Sequence, residues 1–384
     1  VDHKTRRHQA LRRLYEAAER DNAVERFKQD FQETLASEGP GLADRYSVRH
    51  LFENFVENGR EAIQFLRPAS MGGYVNFQES AGLVDTANFA NIMGQITYTA
   101  TLNGYNMPGL IGDQLVETIQ TDFSGERIPG VGRLGDDVEV VREGEPYPNA
   151  QFGEEYVDTP ETIKRGVIVN ITREALFFDR TGLILSEAGK MGNRVSVNRE
   201  KRILDVVLGI STVYRRNGAA AQATYASDNS VSNTLSDWSN LDVALQKFND
   251  MTDPVTGEPI AMNPNLLVVP KRLENTAKRI MNATMVRVGT NTAANQTYTN
   301  GNQVDSPYQV ISSPYVKARS GSDTTWWLGD FKQGFVYMQN WPLSVLQEGS
   351  NTEVGFTRDV IARYRVTERG AAAVRERLCA VKNT

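Results

Sequence analysis

The sequence predicts an α+β fold, and three observations carry that prediction. Apolar residues recur at three- and four-residue spacing near the N-terminus and again over 179–210, the signature of amphipathic helices. Strict alternation in RGVIVNIT, and the closing runs TTWWLGDF, GFVYMQNWPLSVLQ and DVIARYRVTERGAAAV, read as strands. Between them, NPNLLVVPKRLENTAKRIMNA reads as a buried strand, a proline stop and a helix.

The first helix covers residues 5–36, where Leu11, Leu14 and Ala18, then Val24, Phe27, Phe31 and Leu35, share a stripe before Gly39 and Pro40 end it. A second follows Asp44, its N-cap, and carries Val48, Leu51, Phe52, Phe55 and Val56. Such a pair can close a small core of its own or lie as an arm on another subunit. With little chain nearby to cover its large apolar residues, the arm is the better reading. From 68 to 125 the texture turns to Gly, Asn and Thr, which predicts loops and short strands.

The oddest interval is 141–160, VREGEPYPNAQFGEEYVDTP, with three prolines, five Glu or Asp and three aromatics. Pro146, Pro148 and Pro160 each remove a donor and fix φ, so the run cannot be helical, and it is too polar for a core strand. VEVV at 138–141 and the alternating strand after 163 flank it, so the whole reads as a long hairpin arm. Gly130, Gly132 and Gly135 let the outgoing leg bend.

Residues 179–210 predict one long helix, with Ile184, Ala188, Met191 and Val195 on a stripe that Ile203, Val206, Val207 and Ile210 continue. At about 1.5 Å per residue it would be roughly 45 Å long, a beam rather than core filler. Gly189 and Gly192 in its middle cost stability unless another backbone packs closely there. A Ser/Asn/Ala-rich stretch, 216–236, reads as exposed loop. Trp238, Leu241, Leu245 and Phe248 open a further helix, and 287–305, nearly all Asn, Thr and Gly, reads as a long mobile loop.

Composition excludes more than it assigns. At 384 residues, 40% hydrophobic and 23% charged, the chain has room for two or three domains. A net charge of −5 argues against a whole-chain nucleic-acid binder. No apolar stretch approaches the ~20 residues of a membrane helix. The charged start VDHKTRRHQALRRL lacks the apolar core of a signal peptide, so synthesis in a cytoplasm is expected. Cys379 is the single cysteine, which excludes Cys-based zinc sites. His3, His8 and His50 are the only histidines, so a Ser-His or Cys-His set would have to borrow from the first 50 residues, and carboxylate or lysine chemistry is what stays open elsewhere. No enzyme activity, metal or cofactor is expected.

Other motifs give way to plain readings. RVGTNT and VPKRLENTAKR lack phosphate-loop spacing. Glu154 and Glu155 are adjacent on an extended arm and point to opposite faces, so they cannot flank one substrate bond. Trp326 and Trp327 could stack a sugar, but in a strand one faces the core and the other a second surface, which suits packing. A long arm, a helical extension and scattered aromatics exceed what a monomer needs. For a chain without a catalytic set, the simplest partner is another copy of itself.

GEPYPNAQFGEEYVDTPETIKRGVIVNITREALFFD, NLLVVPKRLENTAKRIMNA and WWLGDFKQGFVYMQNWPL with TRDVIARYRVTERGAAAV resemble the major capsid proteins of tailed bacteriophages. This is the capsid fold named after phage Hong Kong ninety-seven, used also by encapsulins and the herpesvirus capsid floor. The resemblance covers 70–384 and lies in the order of the elements. It implies an N-terminal helical arm (1–70), the start of a peripheral domain (71–125) and an extended hairpin, the E-loop (126–170). A spine helix with peripheral domain (171–237), an axial domain (238–328) and closing strands (329–384) follow.

It further implies hexamers and pentamers of an icosahedral shell around double-stranded DNA, a virion component assembled in the host bacterial cytoplasm, with portal, scaffolding or cement proteins as further partners and no membrane. The E-loop of this family lies across a neighbouring subunit. Tyr147 and Phe152 become anchors, and Glu143, Glu145, Glu154 and Glu155 meet arginines, with Arg173 among the contacts. Arg6, Arg7, Arg12 and Arg13, the densest basic cluster, would touch packaged DNA or an acidic patch of a neighbour, the latter preferred because Glu is plentiful. The 31 arginines against 11 lysines suit bidentate pairing at interfaces.

The founding member crosslinks an E-loop lysine to a neighbour's asparagine. Here no lysine lies between Lys28 and Lys164, and TRDVIARY offers Asp359, so a non-covalent shell is expected. An encapsulin-type compartment is the nearest rival, disfavoured by the long helical arm. A carbohydrate-binding surface protein using Trp326 and Trp327 is the rival of another class, disfavoured by the missing secretion signal.

Overall fold

The computed structural model describes residues 100–130, 140–143, 156–172, 183–253, 257, 259–260, 262–283, 285–291, 296–301, 308–348, 357 and 360–384. The expected helices of 5–36 and 44–56 lie outside them. Helices and strands both fill the described chain, as the α+β prediction requires.

The chain divides into two units. One comprises Val1–Pro108, Arg165–Val197 and Leu343–Glu368; the other comprises Gly109–Lys164, Asn198–Pro342 and Arg369–Thr384. In chain order the first described elements are helix α1 (residues 100–105), α2 (Gly112–Leu115), β1 (Glu117–Gln120), β2 (Arg127–Pro129), β3 (Tyr156–Asp158) and β4 (Ile163–Thr172). Then come the long helix α3 (Leu183–Val207), β5 (Ser230–Val231), α4 (Trp238–Asn249), β6 (Leu266–Pro270) and α5 (Glu274–Met281). The chain continues through β7 (Met285–Asn291), β8 (Gln296–Gly301), β9 (Gln309–Ser313) and α6 (Pro314–Ser320). It closes with β10 (Trp326–Gly329), α7 (Phe331–Gly334), β11 (Phe335–Glu348), β12 (Val360–Val374) and β13 (Ala380–Asn383).

In the larger unit a five-stranded sheet runs β5-β13-β10-β6-β9. β10 is antiparallel to both β13 and β6, while β6–β9 and β13–β5 are parallel. Alternation sorts its residues cleanly. Leu266, Val268, Trp327 and Ala380 join one core with Ile203, Leu204 and Val207 of α3. Leu267, Val269, Trp326, Leu328 and Val381 join a second core with Leu241, Ala244 and Phe248 of α4 and Ala277 and Ile280 of α5. Both tryptophans are buried, so the carbohydrate reading is wrong: each faces a core, and neither offers a ring to a ligand. A sheet covered on both faces leaves no second surface.

Four further expectations need correction. Residues 100–105 are helical rather than loop or strand, although Thr and Tyr favour strands. Tertiary packing overrides that preference: the Thr101 hydroxyl donates to the Ala188 carbonyl, and α1 lies backbone to backbone on α3. A Cβ on Gly192 would collide with the Thr101 carbonyl and come 2.8 Å from the Tyr105 nitrogen. One on Gly104 would collide with the Gly189 carbonyl. The close backbone partner that Gly189 and Gly192 require is thus α1.

The expected stripe of α3 ends at Val207, because Gly209 adopts φ 72° and closes the helix, leaving Ile210 exposed. Residues 216–236 are not simply exposed loop. Thr224, Asn229, Asn233 and Leu235 are buried, and β5 joins the sheet. The Asn229 amide donates to the carbonyls of Thr224 (3.0 Å) and Arg377 (2.9 Å), while its oxygen accepts from the Ala226 N–H (2.7 Å). Nor is 287–305 a loop throughout. β7 and β8 pair from Met285↔Gly301 to Asn291↔Gln296 with an irregularity between Arg287 and Gly289. Val286, Thr297, Tyr298 and Thr299 supply the strand formers that the Asn and Gly content obscures.

Alanine at Gly192 should cost about 1–3 kcal/mol through backbone overlap, reversing the usual gain from Gly to Ala in a helix. At Gly189 the added methyl meets only the Ala100 carbonyl at 3.6 Å, so that variant should be neutral or more stable. Urea denaturation of the two variants measures the contrast. Asn229→Ala should lose at least ~2 kcal/mol in the same assay, because it strands several buried backbone groups at once.

Candidate assembly surfaces

The root of the Pro-rich arm is a short antiparallel ladder. β2 and β3 pair Arg127↔Asp158, Ile128↔Val157 and Pro129↔Tyr156. The chain therefore leaves at Pro129 and returns at Tyr156, as a hairpin arm must. Of the expected outgoing strand at 138–141, residues 138–139 lie outside the described residues, and Val140 and Val141 belong to no described strand. Ile128 and Val157 are the buried rungs, and this shorter alternation near Gly130 holds the root instead.

A third segment braces the ladder. Asp158 donates its N–H to the Arg215 carbonyl (3.0 Å), and Asn217 and Tyr156 exchange bonds at 2.9 and 3.1 Å. The Arg127 guanidinium lies 4.3 Å from the Tyr156 ring centre and 3.2 Å from the Asp158 carboxylate. Sequence reasoning overlooked Arg127, although Tyr156 and Asp158 alternate on the returning leg. Glu126 and Thr159 also clasp each other, through Glu126 N–H to Thr159 Oγ1 and Thr159 N–H to the Glu126 carbonyl, both 2.9 Å.

Upstream of the arm, α2 is fixed to α3 by a buried carboxylate. Glu200 accepts the N–H groups of Ile111 (3.0 Å) and Gly112 (2.7 Å). Burial pushes its carboxyl above the ordinary value, and the two amide bonds pull it back. A Cβ on Gly112 would sit 2.6 Å from the Glu200 oxygen, so any larger residue there would displace that carboxylate. Arg199 pairs with Asp113 at 2.7 Å and lies 4.5 Å from the Tyr337 ring centre. The arm's root is thereby mounted on the core.

Exposed apolar side chains lie on or beside the segments that flank that root in sequence. Phe123 is 67% exposed, and the Asn340 amide holds its loop by donating to the Thr121 and Phe123 carbonyls (2.8 and 2.9 Å). Beside Asn340, Trp341 is partly exposed with Arg369 5.4 Å from its ring centre, and Arg369 donates to Thr162 beside exposed Ile163. An aromatic edged by arginine is the composition of a protein interface. Of the arm residues named from the sequence, Glu143 is described and exposed. Glu145, Tyr147, Phe152, Glu154, Glu155, Arg173, Arg6, Arg7, Arg12, Arg13 and Asp359 lie outside the described residues.

Among the described residues no group of three or more His, Cys, Asp or Glu could hold a metal. No described helix is long and apolar enough to cross a membrane.

Solved structures similar to this chain include a virus-like particle from Pyrococcus furiosus, at 13% identity over 76% of this chain and 98% of that one, TM-score 0.42. A structure from Mycobacterium phage Bobi shares 12% identity over 72% and 90%, TM-score 0.48. One from Microbacterium phage Oxtober96 shares 13% over 70% and 86%, TM-score 0.46. No curated protein matches the sequence. A family model described as phage capsid protein matches residues 156–383, from the returning strand of the arm through β13, and the chain belongs to that family.

Proposed function

We infer that this chain is the major head subunit of a tailed bacteriophage, building hexamers and pentamers of an icosahedral shell around double-stranded DNA. The observation that carries the reading is the family match over 156–383. Two features support it. The two ends of the Pro-rich segment are held together by β2 and β3 and braced by residues 215–217. Phe123, Ile163 and Trp341, on or hydrogen-bonded to the segments that flank that root, are exposed.

In this reading Tyr147 and Phe152 anchor on a neighbouring copy, and Glu143, Glu145, Glu154 and Glu155 meet its arginines, with Arg173 at the same contact. Pro146 and Pro148 stiffen the arm in advance and lower the entropy lost on docking. Arg6, Arg7, Arg12 and Arg13 contact an acidic patch of an adjacent subunit. The role is structural, not catalytic, and the product is a virion component assembled in the bacterial cytoplasm.

Electron microscopy of the purified chain should show closed, uniform shells. Packaged DNA in shells from infected cells supports the viral reading, and protein cargo in its place would favour an encapsulin-type compartment. Deleting residues 144–154 should leave circular dichroism native while abolishing shells. Normal shells, or global unfolding, would overturn the assigned role of the arm.

Denaturing gels of mature particles should show one band near 42.7 kDa, because no lysine lies between Lys28 and Lys164. A ladder that survives boiling would disprove the non-covalent shell.

A further inference from the structure

The chain holds four Asn–Gly dipeptides, and three of them, Asn103–Gly104, Asn217–Gly218 and Asn300–Gly301, are described. Asparagine before glycine is able to convert itself. The glycine nitrogen attacks the side-chain carbonyl carbon, ammonia leaves, and a succinimide ring forms that water opens to aspartate or isoaspartate. The step needs a glycine N–H that is not held, a backbone able to turn toward the side chain, and a side-chain amine free to depart.

The fold works against this at two of the three. Asn103–Gly104 lies in helix α1, where the helical hydrogen bonds fix the backbone and Gly104 packs against the backbone of Gly189. Asn300–Gly301 lies in β8, in register with Val286 and Met285 of β7.

Asn217–Gly218 is placed differently. It is the tip of a small hairpin in which the Gln222 N–H bonds the Tyr214 carbonyl at 2.8 Å and the Ala219 N–H bonds the Arg216 carbonyl at 3.0 Å. Asn217 has φ 50° and Gly218 φ 72°, the two left-handed residues that a type I′ turn requires. Both are exposed among the described residues. There, neither the Gly218 N–H nor the Asn217 side-chain amine donates a hydrogen bond. The Asn217 side-chain oxygen, by contrast, accepts the Tyr156 N–H at 3.1 Å. That oxygen becomes negative as the ring closes, and a fixed N–H aimed at it stabilises the charge.

We propose that Asn217–Gly218 is a self-modification site. The Gly218 nitrogen bonds to Asn217 Cγ, the bond from Cγ to the side-chain amine breaks, and the amine leaves as ammonia with the Gly218 proton. Water then opens the ring, chiefly to isoaspartate. The chemistry needs no partner and goes beyond the capsid reading, on which it does not depend.

Its consequence falls on β3. Asn217 exchanges two bonds with the Tyr156 backbone, and Arg216 bridges to Val157. Isoaspartate lengthens the main chain by one carbon at this point and moves the carboxylate to the other branch, so both bonds to Tyr156 cannot be kept. The brace on the ladder of β2 and β3 is lost with age, irreversibly and one chain at a time.

The test follows the purified full chain in mildly alkaline buffer by peptide mass spectrometry, with isoaspartyl methyltransferase as the probe for the rearranged linkage. Position 217 should gain the mass of an amide-to-acid exchange and become a methyl acceptor while 103 and 300 keep their amides. In urea all three should convert. A native chain that keeps its amide at 217, or that converts all three sites alike, would overturn the proposal. Gly218→Ala should slow conversion at least tenfold, because a side chain hinders ring closure, and an undiminished rate would refute the route. Hydrogen exchange gives an independent readout: the Tyr156 and Asp158 amides should exchange faster in converted chains than in fresh ones. Unchanged protection would refute the loss of the brace.

Discussion

Everything in the larger unit hangs on a sheet that is apolar on both faces. Strands β6, β10 and β13 sort alternate residues to opposite sides, so Trp327 and Trp326, neighbours in sequence, sit in different cores. Fully burying side chains of this size contributes on the order of 2–3 kcal/mol each. Asparagines at its margin meet several of the polar groups this burial leaves behind: Asn233 gives its carbonyl to the Trp326 indole at 2.8 Å and its amide to the Asn240 carbonyl at 2.7 Å. Asn229 ties the 224–229 turn to the segment that leads into β13. Buried, fully bonded amides fix a register that apolar packing alone would leave free to slip.

From that core the order passes outward to the arm through a short series of rigid contacts. α3 supplies Ile203, Leu204 and Val207 to the core and, on another face, Glu200 to the amides that open α2. α2 leads directly into β1, which runs parallel to β11 from Glu117↔Val336 to Gln120↔Gln339. The next turn leads to β2 and the ladder at the root. Each described step is short and hydrogen-bonded, so the ladder of β2 and β3 is tied to the core through few residues.

The long, periodic elements were legible in the sequence; those that depend on distant partners were not. α3, α4, the β6-to-α5 module and the closing strands follow from apolar spacing alone, with the ends adjusted by caps such as Gly209. α1 could not be read that way, because its Thr-rich segment is helical where Gly192 and Gly104 let the two backbones approach. Asn229 looked like loop chemistry, since its four backbone partners are set by the fold and carry no local pattern. The hairpin of β7 and β8 was hidden by its Asn and Gly content. The ladder of β2 and β3, three residues on each leg, was too short for periodicity to show.

Among the described residues of the smaller unit, charge stands between exposed apolar side chains. Ile168 and Leu346 sit on different strands, with Arg365 on the strand between them. Charge placed between apolar groups keeps each patch small and discourages unspecific sheet stacking, as gatekeeper residues do beside unavoidable strands.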